Sequence, residues 1–165
     1  MSEDQRMELR PISDADLAFL GEMTLLAAFP PGPLPEGASE APRVTRWLVE
    51  WGRPGDAGVI AWQGDERIGA AWCRIQSEVL AQDSNGEPLP ELVIAITPGH
   101  RARGVGARLL DGLARAASDA GSTGVSLTVN ARNPALRLYE RAGFQLFARD
   151  GDRLTMIKPL GSRQT

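Results

Sequence analysis

The segment from Glu91 to Gly106 constrains the fold most, because it joins a strand pattern to a glycine-containing loop and then to a helix. Residues 91–96 read ELVIAI, the pattern breaks at Thr97-Pro98, and residues 101–106 read RARGVG. The first N–H groups of a helix have no partner within the helix, and the helix dipole adds positive charge there. A strand that enters a helix through such a loop therefore predicts a phosphate-binding site.

The loop has the residue types that a phosphate site needs. Gly104 and Gly106 leave the backbone amides open to phosphate oxygens, because neither carries a side chain. Arg101, Arg103 and Arg108 add positive charge around them. The alternative is a strand-to-helix connection whose glycines serve only to turn the chain.

Two other phosphate-binding loops fit this segment poorly. A P-loop carries its lysine within the motif beside the phosphates, and the only lysine of the chain is Lys158, far from the loop along the sequence. A dinucleotide-binding loop would carry a third glycine at position 109, where this chain has leucine.

A second strand-to-helix segment follows. Residues 125–129 have a strand pattern and lead into NARNPALRLYERAGF over residues 130–144. Asn133 before Pro134 is a good N-cap followed by proline at the first helical position. Tyr139, the only tyrosine of the chain, lies six residues after this cap, which places it on the inner side of a short helix.

Together the two segments resemble the GNAT family of acetyl-CoA-dependent N-acetyltransferases. The first matches the family's pyrophosphate signature as Arg101-x-x-Gly104-x-Gly106, and the second resembles its later motif, an Asn-capped helix that carries a Tyr and ends in Gly-Phe. The resemblance implies a three-layer α/β (α+β) domain whose mixed, mostly antiparallel sheet of about seven strands is flanked by about four helices. It also implies acetyl-CoA as co-substrate and direct acetyl transfer to a primary amine, with no covalent acetyl-enzyme.

The resemblance further implies which residues bind the co-substrate. The loop would hold the pyrophosphate, the exposed edge of the strand over 91–97 would bind the pantetheine arm, and residues 125–129 would splay from that strand to admit it. For Asn133, local capping is as good an explanation as ligand contact, and the resemblance implies a role beside the co-substrate more weakly for Asn130. No metal ligand is predicted. The predicted co-substrate residues are Ile94, Ala95, Ile96, Arg101, Ala102, Arg103, Gly104, Val105, Gly106, Ala107, Asn130 and Asn133.

Two residues are candidates for proton transfer. Tyr139 is the candidate general acid, because a phenol with a pKa of about 10 stays protonated at neutral pH and can donate to a departing thiolate. A general base is needed because an alkylammonium must lose a proton before it attacks. Glu91 is the candidate, because it lies at the start of the motif strand, next to where the resemblance would place the acetyl group. The alternatives are a packing role for Tyr139 and a solvated strand-end carboxylate for Glu91.

Three other features bear on the site. His100 lies within the phosphate loop and is expected to be solvated, and Cys73 is expected to be a buried, inert thiol. The acceptor is expected between the loops over 29–42 and 77–90. Both loops contain glutamate or aspartate and no lysine or arginine, which favours a cationic acceptor.

Composition limits the alternatives. The chain has 165 residues, which fits one domain over 1–165 with tails at 1–6 and 161–165, and a formal net charge of −3 argues against nucleic-acid binding. Cys73 is the only cysteine, no apolar run approaches a membrane span, and no signal peptide is evident. We expect a cytoplasmic enzyme that acts on a small-molecule or peptide amine. A homodimer and a non-catalytic acetyl-CoA-binding protein remain open.

Periodicity and turn residues predict the remaining elements. Ser13 and Asp16 form an approximate capping box at the start of the first helix, which ends before Pro30. Predicted strands cover residues 7–10, 58–63, 66–76, 91–97, 125–129, 145–149 and 154–158, and predicted helices cover 13–29, 43–50, 104–120 and the residues after 134.

Overall fold

A computed structural model describes residues 6–161 and has one sheet of seven strands over that range. The predicted fold class and element order are confirmed. The predicted tails, 1–6 and 161–165, lie outside the described residues except at Arg6 and Gly161. The strands are β1 (Met7–Pro11), β2 (Ala57–Gln63), β3 (Glu66–Arg74), β4 (Glu91–Ile96), β5 (Gly124–Asn130), β6 (Gln145–Asp150) and β7 (Arg153–Pro159), and the α-helices are α1 (Leu17–Ala28), α2 (Pro42–Thr45), α3 (Val105–Asp119) and α4 (Ala135–Arg141).

The sheet order is β1-β2-β3-β4-β5-β7-β6, and the pairs are antiparallel except for β4 and β5. The parallel pair has one register contact, between Glu91 and Ser126. Ser126 N–H also donates to the carbonyl oxygen of Pro90 at 2.9 Å. Beyond this point β4 and β5 separate, so the prediction that they splay is confirmed.

Each face of the sheet has its own apolar cluster. On one face, Leu109 and Leu113 of α3 pack with Ile68 and Leu127 of the strands. On the other, Leu20 and Met23 of α1 pack with Trp72 of β3. Helices therefore cover both faces, as the predicted three-layer arrangement requires.

Local signals at the helix ends are observed as predicted. The Ser13 N–H donates to Asp16 Oδ2 at 2.8 Å, which completes the reciprocal cap ahead of α1. Gly121, with φ +94°, follows α3 and accounts for its end, because this backbone conformation suits glycine.

The second helix is shorter than predicted. The sequence predicts a helix over 43–50, whereas α2 ends at Thr45 and the chain continues in turns. The buried Arg74 guanidinium explains the difference, because its Nη1 donates to the carbonyl oxygens of Arg46 at 3.2 Å and Val49 at 2.7 Å. Those carbonyls anchor the segment to the sheet instead of continuing a helix.

Among the described residues, no helix has the length and apolar character needed to cross a membrane.

Candidate active site

The separation of β4 from β5 opens a cavity of about 1040 Å³ that passes through the sheet. Val93 and Ala95 of β4 line it on the face covered by α1, and Ile94 and Ile96 line it on the face covered by α3. Alternate residues of a strand point to opposite faces, so the cavity is open to both sides of β4. A molecule bound between the strands can thus meet side chains from both layers of helices.

The phosphate loop lies at the carboxyl end of β4 and leaves backbone donors unpaired. No hydrogen bond from the backbone N–H groups of Ala102, Arg103 or Gly104 is found within residues 6–161. Ala102 has φ +61° and Gly104 has φ +79°. A non-glycine residue with positive φ is uncommon, and successive amides in such turns form concave anion sites.

Only one of the three arginines near the loop faces the large cavity. Arg101 lines it, and its Nε donates to the Ile96 carbonyl oxygen at 3.2 Å. Arg108 was predicted to add charge at the loop, but its Nη1 donates to the Met7 carbonyl oxygen at 3.2 Å. That contact holds Arg108 at the outer strand β1, so this prediction is wrong. Arg103 lines neither described cavity.

Gly106 has a packing role that the sequence did not indicate. A Cβ atom there would lie 2.9 Å from Leu138 Cδ2 and 3.4 Å from Ile96 Cδ1. The absence of a side chain lets α3 approach α4 and β4 closely. At Gly104 a Cβ would meet nothing within 4 Å. Glycine is favoured there because of the positive φ and because a side chain would fill the open space above the amides.

Both asparagines make local backbone contacts. Asn133 Oδ1 accepts the Ala135 N–H at 2.9 Å, which confirms the predicted capping role, and Asn133 also lines the cavity. Asn130 Oδ1 accepts the Arg132 N–H at 2.8 Å in a turn, and Asn130 does not line the cavity.

Tyr139 lies on α4 and lines the cavity from the side of the sheet covered by α3. Its ring meets Phe144 edge-on, with ring centroids 5.9 Å apart. Burial raises the pKa of the Tyr139 phenol above its ordinary value. No hydrogen bond of its hydroxyl is found within residues 6–161, so the proton is available to a bound molecule.

Glu91 lies at the start of β4 and lines the cavity, and it is 6% exposed. The alternative for Glu91, a solvated strand-end carboxylate, is therefore excluded. Burial raises the pKa of Glu91, and the positive charges of Arg46 and, more weakly, Arg153 oppose that rise. Arg46 Nη2 lies 3.4 Å from Glu91 Oε2. A buried carboxylate with a raised pKa has the properties of a general base.

The predicted co-substrate residues divide between two cavities. The second has a volume of about 730 Å³, lies at the start of α3 beside α4, and shares Ile96 and Leu138 with the first. Arg103 and Asn130 line neither cavity. The first contains Ile94, Ala95, Ile96, Arg101 and Asn133, and the second contains Ile96, Ala102, Gly104, Val105, Gly106 and Ala107.

His100 and Cys73 both lie outside the cavities among the described residues. The expectation of a solvated His100 is wrong, because Nδ1 lies 2.8 Å from Thr97 Oγ1 and Nε2 lies 3.2 Å from Gln63 Oε1. Cys73 is buried, as predicted, and burial raises the pKa of its thiol to about 12. No cluster of three or more metal-ligating side chains occurs within residues 6–161.

The lining of the cavity differs from that of the predicted acceptor site. Among the described residues, none from the loops over 29–42 and 77–90 lines it. Its charged lining instead contains Arg43, Arg46 and Arg153 together with Glu91. None of Arg43, Arg46 and Arg153 was predicted from the sequence as a site residue. Only Arg153 could have been found from the sequence. It precedes a strand in which apolar Leu154 and Met156 alternate with other residues, and this alternation places Arg153 on the face of β7 opposite to them.

Known proteins resemble this chain over most of its length. The model of the Acetyltransferase (GNAT) family matches residues 23–144. The structure of yncA of Salmonella typhimurium with its cofactor acetyl-CoA has a TM-score of 0.69 at 19% identity and covers 96% of each chain. A phosphinothricin acetyltransferase from Sinorhizobium meliloti in complex with AcCoA has a TM-score of 0.64 at 25% identity, over 94% of this chain and 89% of that one. The paia N-acetyltransferase of Thermoplasma acidophilum in complex with coenzyme A has a TM-score of 0.66 at 20% identity, over 93% and 99%.

The splayed parallel strands, the loop with unpaired amides and the family match agree with one another. The chain belongs to the GNAT acetyltransferase family. It is therefore an enzyme of the acyl-CoA N-acyltransferase class, and the resemblance drawn from the two motifs is confirmed.

Proposed function

We propose that this protein transfers the acetyl group of acetyl-CoA directly to a primary amine while both molecules are bound. The observation that carries the proposal is the cavity between β4 and β5, which Tyr139 and Glu91 both line. An acid and a base at one cavity meet the two proton-transfer needs of the reaction, one at the leaving sulfur and one at the attacking nitrogen.

The residues of this chain fit acetyl-CoA. The unpaired amides of residues 102–104 suit phosphate oxygens, and Arg101 stands beside them. The separated strands leave the edge of β4 beyond Glu91 free of pairing with β5. A backbone N–H on that edge can hold the pantetheine arm or polarise the thioester carbonyl.

Acetyl-CoA supplies an acetyl thioester and a thiolate as the leaving group. Glu91 takes the proton of the acceptor ammonium, directly or through one water, and so exposes the nitrogen lone pair. Tyr139 donates its hydroxyl proton to the departing sulfur. The raised pKa of Tyr139 keeps that proton in place at neutral pH.

Amine-dependent release of free thiol from acetyl-CoA tests the activity, with a panel of amino acids, polyamines, aminoglycosides and peptides. The concentrations of acetyl-CoA and amine are both varied, and the initial rates are drawn as double-reciprocal plots. Direct transfer predicts lines that intersect, whereas a covalent acetyl-enzyme gives the parallel lines of ping-pong kinetics. Acetyl-CoA binding with no thiol release for any amine would instead support a non-catalytic binding protein.

Tyr139→Phe tests the proton donor, because it retains the ring and its packing against Phe144. We expect kcat to fall by about 10²-fold or more, while the melting temperature and the Kd for acetyl-CoA change little. A Phe variant with wild-type turnover would return Tyr139 to a packing role.

A further inference from the structure

The charged side chains of the cavity point to the chemical class of the acceptor. Among residues 6–161, its lining contains four arginines, Arg43, Arg46, Arg101 and Arg153, and a single carboxylate, Glu91. Positively charged walls attract an anion and repel a cation. The acidic loops that favoured a cationic acceptor do not line the cavity, so the charges that a bound acceptor meets have the opposite sign.

Two of these arginines have other partners. Arg101 contacts the Ile96 carbonyl oxygen at the end where the phosphate loop begins. The Arg43 guanidinium lies over the Phe29 ring, 4.2 Å from its centroid. Arg46 and Arg153 remain, and both lie close enough to Glu91 for their charges to act on it.

The positive charge of Arg46 is already partly balanced by its neighbours. It forms the 3.4 Å contact with Glu91 and stacks over the Trp47 ring at 4.6 Å. Arg153 has no such partner, because no hydrogen bond or ion pair of its guanidinium is found within residues 6–161. It lies on β7 opposite Asn130, on the face of the sheet that also carries Glu91. One carboxylate thus faces two guanidinium groups, and among the described residues the guanidinium of Arg153 has no counter-charge within 4 Å.

We propose that the acceptor is an amine that carries a carboxylate next to its amino group, of which an α-amino acid is the simplest example, and that Arg153 binds this carboxylate. This proposal rests on the proposed acetyltransferase function. The guanidinium group can form paired hydrogen bonds to a carboxylate, while Glu91 receives the amine. Glu91 and Arg153 line the same cavity, and an α-amino acid carries on one carbon the amine and the carboxylate that these two groups would bind.

The first experiment compares amino acids with their own carboxamides on the full-length protein and acetyl-CoA. The pairs are L-leucine and L-leucinamide, L-glutamine and L-glutaminamide, and L-phenylalanine and L-phenylalaninamide, with spermidine as a cationic amine. A hydrogen-bonded charge contributes about 1.5–3 kcal/mol, so we expect kcat/KM for the best acid to exceed that of its amide by about tenfold or more. The amine of a carboxamide is less basic than that of the acid, so more of it is deprotonated and ready to react. This difference favours the amide, and a preference for the acid would be seen in spite of it.

The second experiment uses Arg153→Gln, which removes the charge from a surface-exposed position without opening the core. The acid-to-amide ratio should fall toward one, mainly through a higher KM for the acid. Arg153→Lys should keep part of the preference, because it retains the charge but not the paired geometry. Arg115→Gln on the solvent face of α3 is the matched control, since it changes the net charge equally and should keep the wild-type ratio.

Each outcome separates the two proposals. If spermidine or the amides are acetylated and the acids are not, the carboxylate proposal is overturned and the acetyltransferase function stands. If the acids are preferred but Arg153→Gln keeps that preference, the role of Arg153 is overturned. If no amine of any class releases thiol, the proposed function itself fails.

Discussion

The two ends of the cavity are built in different ways. At the proposed co-substrate end, where the second cavity shares Ile96 and Leu138 with the first, one continuous segment, residues 92–106, supplies the strand edge, the loop amides and Arg101. At the acceptor end, the charged groups come from three separate places: Arg46 after α2, Glu91 on β4 and Arg153 on β7. A site made from one segment leaves a sequence motif, whereas a site made from distant side chains exists only after folding.

The two ends are also held in place differently. The loop amides lie at the N-terminus of α3, a fifteen-residue helix packed across the sheet. The segment that carries Arg46 is not regular helix, and a buried ion pair anchors it. Arg74 donates to both carboxylate oxygens of Asp56, at 3.0 and 2.8 Å, and the two side chains are 1% and 2% exposed. The acceptor end should thus depend on this pair far more than the co-substrate end does.

Asp56→Asn tests that dependence and should have the largest effect on stability. The substitution keeps the shape of the side chain but leaves the Arg74 guanidinium buried without its counter-charge, which costs about 3–5 kcal/mol. Urea unfolding measures the loss. In the folded fraction, the KM for the acceptor should rise more than the Kd for acetyl-CoA, because Arg74 also holds the carbonyl of Arg46.

Asp111→Asn is the control for this prediction. Asp111 pairs with Arg115 on the surface, with side chains 66% and 79% exposed, and exposed pairs contribute little. A loss in Asp56→Asn no larger than that in Asp111→Asn would show that the buried pair does not anchor the acceptor end.

Substitution of Gly104 should have an intermediate effect, which is confined to the binding of acetyl-CoA. Gly104→Asp and Gly104→Asn share nearly the same shape, and both residue types tolerate the φ of +79° better than most. Only the Asp variant places a negative charge above the loop amides. We expect its Kd for acetyl-CoA to exceed that of the Asn variant by about tenfold, from like-charge repulsion near the surface.

Isothermal titration calorimetry at two salt concentrations measures the Kd for acetyl-CoA of both variants and checks this prediction. The difference between the Asp and Asn variants should shrink as salt is added, because screening weakens interactions between exposed charges. Equal Kd values at low salt would mean that the phosphates do not lie over these amides.

The sequence predicted the seven strands because each alternates or is bounded by turn residues, and it predicted the loop because its residues are contiguous. It also identified Glu91 and Tyr139 at positions that line one cavity. It missed the burial of Glu91 and the positions of Arg46 and Arg153, because these depend on the register of strands that are distant in the chain. The prediction that the loops over 29–42 and 77–90 flank the cavity is wrong for a similar reason: loop composition does not reveal which loop residues reach it.

The smallest expected effect on stability comes from Glu91→Gln, which separates the role of Glu91 in catalysis from its effect on folding. Burial raises the pKa of Glu91, so the folded state favours the protonated form, and the stability this group contributes at low pH is lost as the pH rises through its raised pKa. Glu91→Gln resembles the protonated form. We expect it to melt at a higher temperature than the wild type near neutral pH, with the difference closing as the pH falls. Loss of the ion pair with Arg46 reduces this gain in stability only modestly, since the Arg46 side chain is 40% exposed and water can solvate its charge.

The activity of Glu91→Gln should change in the opposite sense. The wild-type kcat/KM should rise with pH as Glu91 ionises, and the Gln variant should lose that limb together with most of its rate. Thermal melts and pH–rate profiles on the same two proteins give both results. A variant that is less stable near neutral pH would show that the ion pair with Arg46 outweighs desolvation. One that keeps the wild-type pH profile would remove Glu91 as the base and leave the acceptor end with a binding role alone.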